Sequence, residues 1–304
     1  MGSNGMLKRV RKDFDLYLFI LPAVIGIFIF RYIPMYGVQI AFRDFMPTRG
    51  IWGSPWVGLA QFTRFFESPD FWKIISNTLG LSLFQLVAGF PVPIVIALSL
   101  NQMRNASIKR GVQTLIYAPH FISTVVLVGM IFAFTSPSTG IINYIVSLFG
   151  GEPALFMADP KYFRPIYVLS GIWQDAGWGT IIYIAALSNV NTDLYEAAKI
   201  DGANKWQIIR NVDIPVIMPT VVILLVLATG GLMSIGFEKA YLMQKDLNLD
   251  ASEIIATYVY KKGLRRAEYS YSSAIGLFNS AINFILLVLV NTFTKKANKD
   301  LSLF

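Results

Sequence analysis

Glu196-Ala197-Ala198-Lys199-Ile200-Asp201-Gly202-Ala203, followed by Ile214-Pro215 and then Pro219, is a polar island between two long apolar runs. The runs on either side, 164–188 and 216–237, are each long enough to cross a bilayer. A helix needs about 20 apolar residues to cover roughly 30 Å of hydrocarbon. A polar stretch tethered between two such runs belongs at a membrane surface, so the island decides the class of fold.

Working outward, four further stretches qualify as spans, at 16–35, 73–99, 115–135 and 273–293. The sequence therefore predicts an all-α membrane protein of six transmembrane helices, occupying 16–293, with a loop at 189–216 between the fourth and fifth. Short segments at 1–15 and 294–304 flank it, and an even number of crossings puts both on one side. The composition agrees, with 55% hydrophobic and 14% charged residues and a mean hydropathy of +0.54, which excludes an ordinary soluble domain.

Lys8, Arg9, Arg11 and Lys12 precede the first span, Arg104, Lys109 and Arg110 lie in the second loop, and Lys295, Lys296 and Lys299 follow the last. Positive residues stay on the cytoplasmic side, which assigns both ends there. The fifth loop, outside in this arrangement, also holds Lys239, Lys245, Lys261, Lys262, Arg265 and Arg266. Longer loops translocate with less regard to charge, so the first helix decides. No small-residue cleavage site follows the first apolar run, which reads as a retained helix.

The net charge of +8 is scattered through short loops, a pattern suited to anionic lipid and not to nucleic acid. With no cysteine and one histidine, the chain offers no disulfide, no thiolate and no metal cluster. The 36–72 segment mixes Trp52, Trp56, Phe62, Phe65, Phe66, Phe71 and Trp72 with Arg43, Asp44, Glu67 and Asp70, as short helices at a membrane interface do. Headgroup anchoring and docking of an external partner are both consistent with it.

Within the island, Asn191-Thr192-Asp193 offers a helix cap, and Asp193 with Glu196 imitates a capping box, which predicts a helix from about Leu194. Gly202 suits a left-handed turn or a close backbone approach. A second short helix is expected from Ala203, with Trp206, Ile209 and Val212 as an apolar stripe and Pro215 as its end. The result is a helix-turn-helix elbow.

This elbow resembles the cytoplasmic loop motif of permeases of binding-protein-dependent ABC importers. Glu196, Ala197, Ala198, Asp201, Gly202, Ala203, Pro215 and Pro219 match the motif, while Ile209, Val212 and Ile214 stand where the family prefers other apolar residues. Tyr17-Leu18-Phe19-Ile20-Leu21-Pro22, Ser68-Pro69-Asp70-Phe71-Trp72 and Asn77-Thr78 extend the likeness along nearly the whole chain, toward the oligosaccharide-importing branch.

The resemblance implies a type I importer fold whose loop helix, through Glu196, Ala197, Ala198, Asp201, Gly202 and Ala203, couples to an ATP-binding subunit. It implies a bacterial inner-membrane complex of this chain, a second homologous permease, two ATP-binding subunits and an extracytoplasmic solute-binding protein, importing oligosaccharide by alternating access. ATP and Mg would reside on the partner subunits, with no cofactor in this chain. No Gly-x-x-x-x-Gly-Lys-Ser/Thr phosphate loop is present; the nearest spacing, Gly231 to Gly236, continues with Phe237-Glu238. The chain is accordingly not expected to be an enzyme.

In the fourth span, Gly171-Ile172-Trp173-Gln174-Asp175-Ala176-Gly177-Trp178 interrupts the apolar pattern. An Asp at a helix centre costs about 2.5–3.5 kcal/mol on insertion scales, so Asp175 must face a cavity, a partner or the outer mouth. Gly171, Gln174, Asp175 and Trp178 share a helix face, and an aromatic plane beside hydrogen-bonding groups suits a sugar ring. Similarity to maltose-type permeases also implies substrate-facing positions for Gln174, Asp175 and Trp178, and adds His120, Gly231 and Ser234. The likeness to importers of polysaccharide fragments brings an acidic cargo, such as an alginate or pectin fragment, into view.

From the residues alone, two other classes stay open. One is an ion-coupled secondary transporter or channel, with Asp175 as its ion site; the other is a membrane scaffold whose elbow recruits a cytosolic protein.

Overall fold

The computed structural model describes residues 14–297; the terminal segments assigned to the cytoplasm lie largely outside that range, including Lys8 to Lys12 and Lys299. In chain order the main helices are α1 (Phe14–Phe42), α2 (Phe71–Asn101), α3 (Ala106–Phe121), α4 (Thr124–Phe134), α5 (Pro160–Ser188), α6 (Thr192–Ile200), α7 (Lys205–Gly230), α8 (Phe237–Met243) and α9 (Tyr269–Ala297). Among the described residues there is no strand, only an isolated bridge between Arg43 and Trp56.

Four of these, α1, α2, α7 and α9, are long and apolar enough to cross a membrane. The expected third span at 115–135 is not one straight helix: α3 and α4 meet at 97°. Pro119 sits in a tightened turn over Ala118–Phe121, Ile122 is extended, and Ser123 restarts the chain by accepting the Val126 N–H. A proline followed by a new cap makes a corner. The 29-residue α5 has the length of a span but a polar centre. The fifth run also shifts: it starts at Lys205 and stops at Gly230, leaving 231–236 as a turn.

Three long helices share one device. A π turn occupies Phe28–Tyr32, Gln85–Gly89 and Ile209–Asp213, and each ends two residues before a proline, at Pro34, Pro91 and Pro215. Proline lacks an N–H and its ring crowds the carbonyl four residues back. The wider turn relieves both problems; the N–H groups of Ile33 and Ile214 reach Phe28 and Ile209, each five residues back. Pro215 therefore does not end the short helix as the sequence suggested. The helix runs through it into the membrane.

By internal contacts the chain forms two compact units. In the first, 14–67 with 262–277, Arg43 donates to the Ser54 carbonyl at 2.8 Å and lies beside the Trp52 and Trp56 rings. Arg64 pairs with Glu268 at 2.5 Å and sits over the Tyr271 ring. Short helices at Gly50–Gly53 and Ala60–Phe66 carry the aromatic segment, with Trp52 and Trp56 exposed and Phe65 buried.

The second unit, 68–261 with 278–297, contains two apolar centres. Leu81, Leu127, Ile131, Phe163, Val168 and Met243 form one, and Ala97, Leu98, Tyr183, Leu187 and Ile217 the other. Large apolar side chains also cover the surface, while Asn77, Thr78, Ser82, Thr180 and Asn248 are buried. Lipid tails are as apolar as leucine, so close packing and interhelical hydrogen bonds must hold such a bundle together. Gly177 shows the packing: a Cβ there would lie 1.9 Å from the Ile116 carbonyl oxygen, so α3 rests directly on α5.

Candidate functional site

The elbow is built from its caps. Asn191 accepts the Asp193 N–H at 3.0 Å and starts α6 at Thr192, two residues earlier than expected. The Asp193–Glu196 capping box does not form at this helix start. At the other end the Ala203 N–H bonds Ala198 and the Gly202 N–H bonds Lys199, with Gly202 at φ +74°. This pair of bonds closes the helix with a left-handed residue, a conformation glycine adopts without penalty. Asn204 and Gln207 then form a reciprocal capping box that opens α7.

Glu196, Ala197, Asp201 and Gly202 are exposed on this elbow, and Ala198 and Ala203 half-buried. The expected stripe does not hold together: Ile209 and Val212 pack against the core, whereas Trp206 is 68% exposed and Ile208 is buried instead. The π turn at Ile209–Asp213 breaks the helical register, so a three-residue spacing across it does not mark one face. Ile200, at 87% exposure, Trp206 and the half-exposed Leu194 leave three large apolar side chains on the surface of the elbow.

Behind the elbow lies Asp213, fully buried. Its carboxylate accepts from the Tyr195 hydroxyl (2.6 Å), Asn101 Nδ2 (3.1 Å) and Gln102 Nε2 (2.7 Å). Burial, with the hydrogen bond to Asp213 behind it, pushes the Tyr195 hydroxyl up to about 12, although Asn101 pulls the other way. Residues of α6, α7 and the C-terminal end of α2 thus meet on one carboxylate. Sequence reasoning missed it, because Asn101, Tyr195 and Asp213 are far apart along the chain and carry no local motif.

The polar segment of α5 faces the α3–α4 corner. His120 Nδ1 lies 2.9 Å from Asp175 Oδ1, and the His120 ring stacks on Trp178 with centroids 4.5 Å apart. Phe121 meets Trp178 edge-on at 5.7 Å, and Gln174 Nε2 donates to the Ile122 carbonyl at 2.8 Å. His120, Gln174, Asp175 and Trp178 therefore form one cluster.

The other three candidates lie apart from those contacts. Gly171 is the clearance for two polar groups: a Cβ there would be 3.2 Å from Lys239 Nζ and 3.5 Å from Gln85 Oε1. Gly231 borders a cleft of about 350 Å³ shared with Ser82, Gln85 and Gly89. Ser234 accepts from Asn283 Nδ2 at 2.8 Å, while Asn283 Oδ1 accepts the Met233 N–H at 2.9 Å. Among the described residues no group of three or more His, Cys, Asp or Glu side chains is placed to hold a metal ion.

A mostly helical chain with several long apolar helices, a further long helix that carries a polar face, and a capped elbow between that helix and the next has the build of a polytopic membrane transport subunit. Residues 89–299 match the family described as binding-protein-dependent transport system inner membrane component, and the chain belongs to that family. It is 44% identical over 295 residues to the polygalacturonan/rhamnogalacturonan transport system permease protein YteP of Bacillus subtilis, covering 97% of this chain and 92% of that one. Protein LplB of the same organism is 42% identical, with 96% and 92% covered.

Among solved structures, a chain of a bacterial ABC transporter involved in import of the acidic polysaccharide alginate superposes with a TM-score of 0.88 at 38% identity. The match covers 96% of this chain and 99% of that one. A second alginate transporter structure, in complex with an alginate pentasaccharide-bound periplasmic protein, gives the same TM-score at 37% identity, covering 96% and 98%. The fold is that of a type I ABC importer permease, a multi-pass inner-membrane protein.

Proposed function

We propose that this chain is the permease subunit of an ATP-driven importer that moves an oligosaccharide, an acidic polysaccharide fragment among the candidates, delivered by an extracytoplasmic binding protein. It works beside a second homologous permease and two ATP-binding subunits, which carry ATP, Mg and all hydrolysis. Six crossings follow when the bent α3–α4 pair and α5 are counted with the four apolar helices; the 29 residues of α5 extend about 43 Å at 1.5 Å per residue. Both termini are cytoplasmic on the basic residues that flank the first and last spans.

The observation that carries this reading is the elbow. Its exposed Ile200 and Trp206 suit an apolar cleft on an ATP-binding subunit, and Glu196 supplies a charge for a partner's base. Gly202 keeps the turn narrow, and Asp213 ties the elbow to α2, giving motion at the surface a route into the spans. The cluster of His120, Gln174, Asp175 and Trp178, with Gly171, Gly231 and Ser234 beyond it, supplies the substrate path.

The test is co-purification of the chain from its native membrane, followed by ATPase assays in lipid. ATP-binding subunits should accompany it, and hydrolysis should rise when binding protein and oligosaccharide are added together. Sugar uptake by the isolated chain, driven by an ion gradient without ATP, would overturn the proposal.

A further inference from the structure

Lys239 is only 8% exposed, and none of the ion pairs among the described residues involves it. Its Nζ donates to the Tyr167 main-chain oxygen at 2.8 Å and lies 4.8 Å from the centre of the Tyr167 ring. An ammonium group carries three donors, and one carbonyl accepts one of them. The amine reaches Gly171 on one side of the space where Gln85 enters from the other. Gln85 is at mid-length of α2, so the amine lies beside the centre of a spanning helix. Holding a cation at that depth is costly, and such groups face cavities or partners.

A second cation lies on the same seam. Arg164 precedes Gly171 by two helical turns, about 10 Å along α5. Its Nη2 donates to Asn77 Oδ1 at 3.0 Å, and its Nε is buried with no hydrogen-bond partner among the described residues. A Cβ on Gly80 would lie 2.9 Å from Nη1, and one on Gly89 would lie 2.8 Å from Gln85 Nε2. Glycines of both helices thus leave room for polar groups, and the hydrogen-bond partners of both cations are neutral. Asp175, one turn beyond Gly171, is already taken by His120.

We infer that Lys239, with Arg164 two turns away, forms a cationic seam between α2 and α5 that receives the carboxylates of an acidic oligosaccharide during its passage. The inference rests on the reading of this chain as an oligosaccharide permease. The fixed hydrogen-bond partners of these cations are neutral, so no resident carboxylate holds them against the cargo, and a cargo carboxylate would supply the charge partner that each buried cation lacks. Gln85, which also borders the cleft beside Gly231, connects the seam to open space.

The experiment uses the full complex in liposomes with its binding protein. Galacturonate and alginate oligomers are each compared with the carboxyl-reduced oligomer of the same length and linkage. The wild type should respond to an acidic oligomer at a concentration at least tenfold lower than to its reduced form. Lys239→Gln should remove that preference and leave the response to the reduced form unchanged, while Lys239→Arg should keep it.

Stimulation by both forms equally would overturn the inference and leave the transport reading standing; equal loss of both responses in Lys239→Gln would make Lys239 structural. No stimulation by any of the sugars would count against the transport reading itself and take the inference with it. Gln85→Glu is the second variant should Lys239→Gln fail to assemble. By placing a carboxylate at Gly171 it should abolish the acidic preference, and an unchanged preference would overturn the seam.

Discussion

The imidazole of His120 lies flat on the indole of Trp178, with their planes 7° from parallel, while its Nδ1 is held by Asp175. The stack joins the α3–α4 corner to the polar face of α5 and spends one face of the indole on the protein. The other features of this face, including Gln174 bound to Ile122, are then fixed relative to it.

Trp178→Ala should weaken sugar-stimulated ATP hydrolysis and leave assembly intact. An aromatic stacking contact contributes about 0.5–1.5 kcal/mol, or roughly a two- to tenfold rise in the half-saturating sugar concentration. A dose–response curve on the assembled complex checks this, with Trp178→Phe expected between the two. An unchanged curve would remove Trp178 from the path.

At Gly202 nothing lies within 4 Å of an added Cβ, so the penalty of a side chain there is conformational within this chain. Gly202→Asn should be tolerated better than Gly202→Val, since β-branched residues resist positive φ. Membrane insertion should survive in both. Retention of ATP-binding subunits on pull-down should fall several-fold in the valine variant, and equal retention would separate the turn from coupling.

Tyr195→Phe deletes one charge-assisted hydrogen bond to buried Asp213 and should lower stability by about 1.5–3 kcal/mol, read as a drop in Tm of the purified complex. The hydroxyl's raised pKa sets the pH sign. The contribution is fully present below the ordinary tyrosine value near 10 and is lost as pH rises through about 12. The wild-type advantage over Tyr195→Phe should therefore hold to about pH 10 and decline progressively from there to about pH 12.

Asn283→Ala removes the bonds to the Met233 N–H and Ser234 Oγ that tie the 231–236 turn to α9. Amide exchange at Met233 should quicken by about tenfold, the consequence of losing roughly 1.4 kcal/mol of local protection. Ser234→Ala, which spares the Met233 bond, should leave that exchange rate near wild type.

Much of the fold was legible because hydrocarbon imposes long apolar runs and because Gly, Pro and Asn punctuate them. Gly202 was readable as a left-handed turn from its residue type and place. Asn191 was one of three cap candidates, and only the structure selects it. What eluded the sequence arises where the helical period is not constant or where the partners are remote. The π turns before Pro34, Pro91 and Pro215 shift register, so Trp206 was grouped with side chains whose face it does not share. Asp213 depends on Asn101 and Gln102, and Lys239 on Tyr167, all remote in the chain. Lys239 read as one more loop cation until its distance to Tyr167 and Gly171 placed it beside α2.

The corner at Ile122–Ser123 has a meaning for hydration. A straight helix hides its peptide groups from lipid, but a 97° turn bares them, and hydrocarbon does not tolerate bare peptide groups. Gln174 satisfies the Ile122 carbonyl, and the neighbouring main chain needs protein or water around it. The corner therefore shows where the molecule must keep lipid out, and it draws the wet side of the bundle along the edge that His120 and Asp175 share.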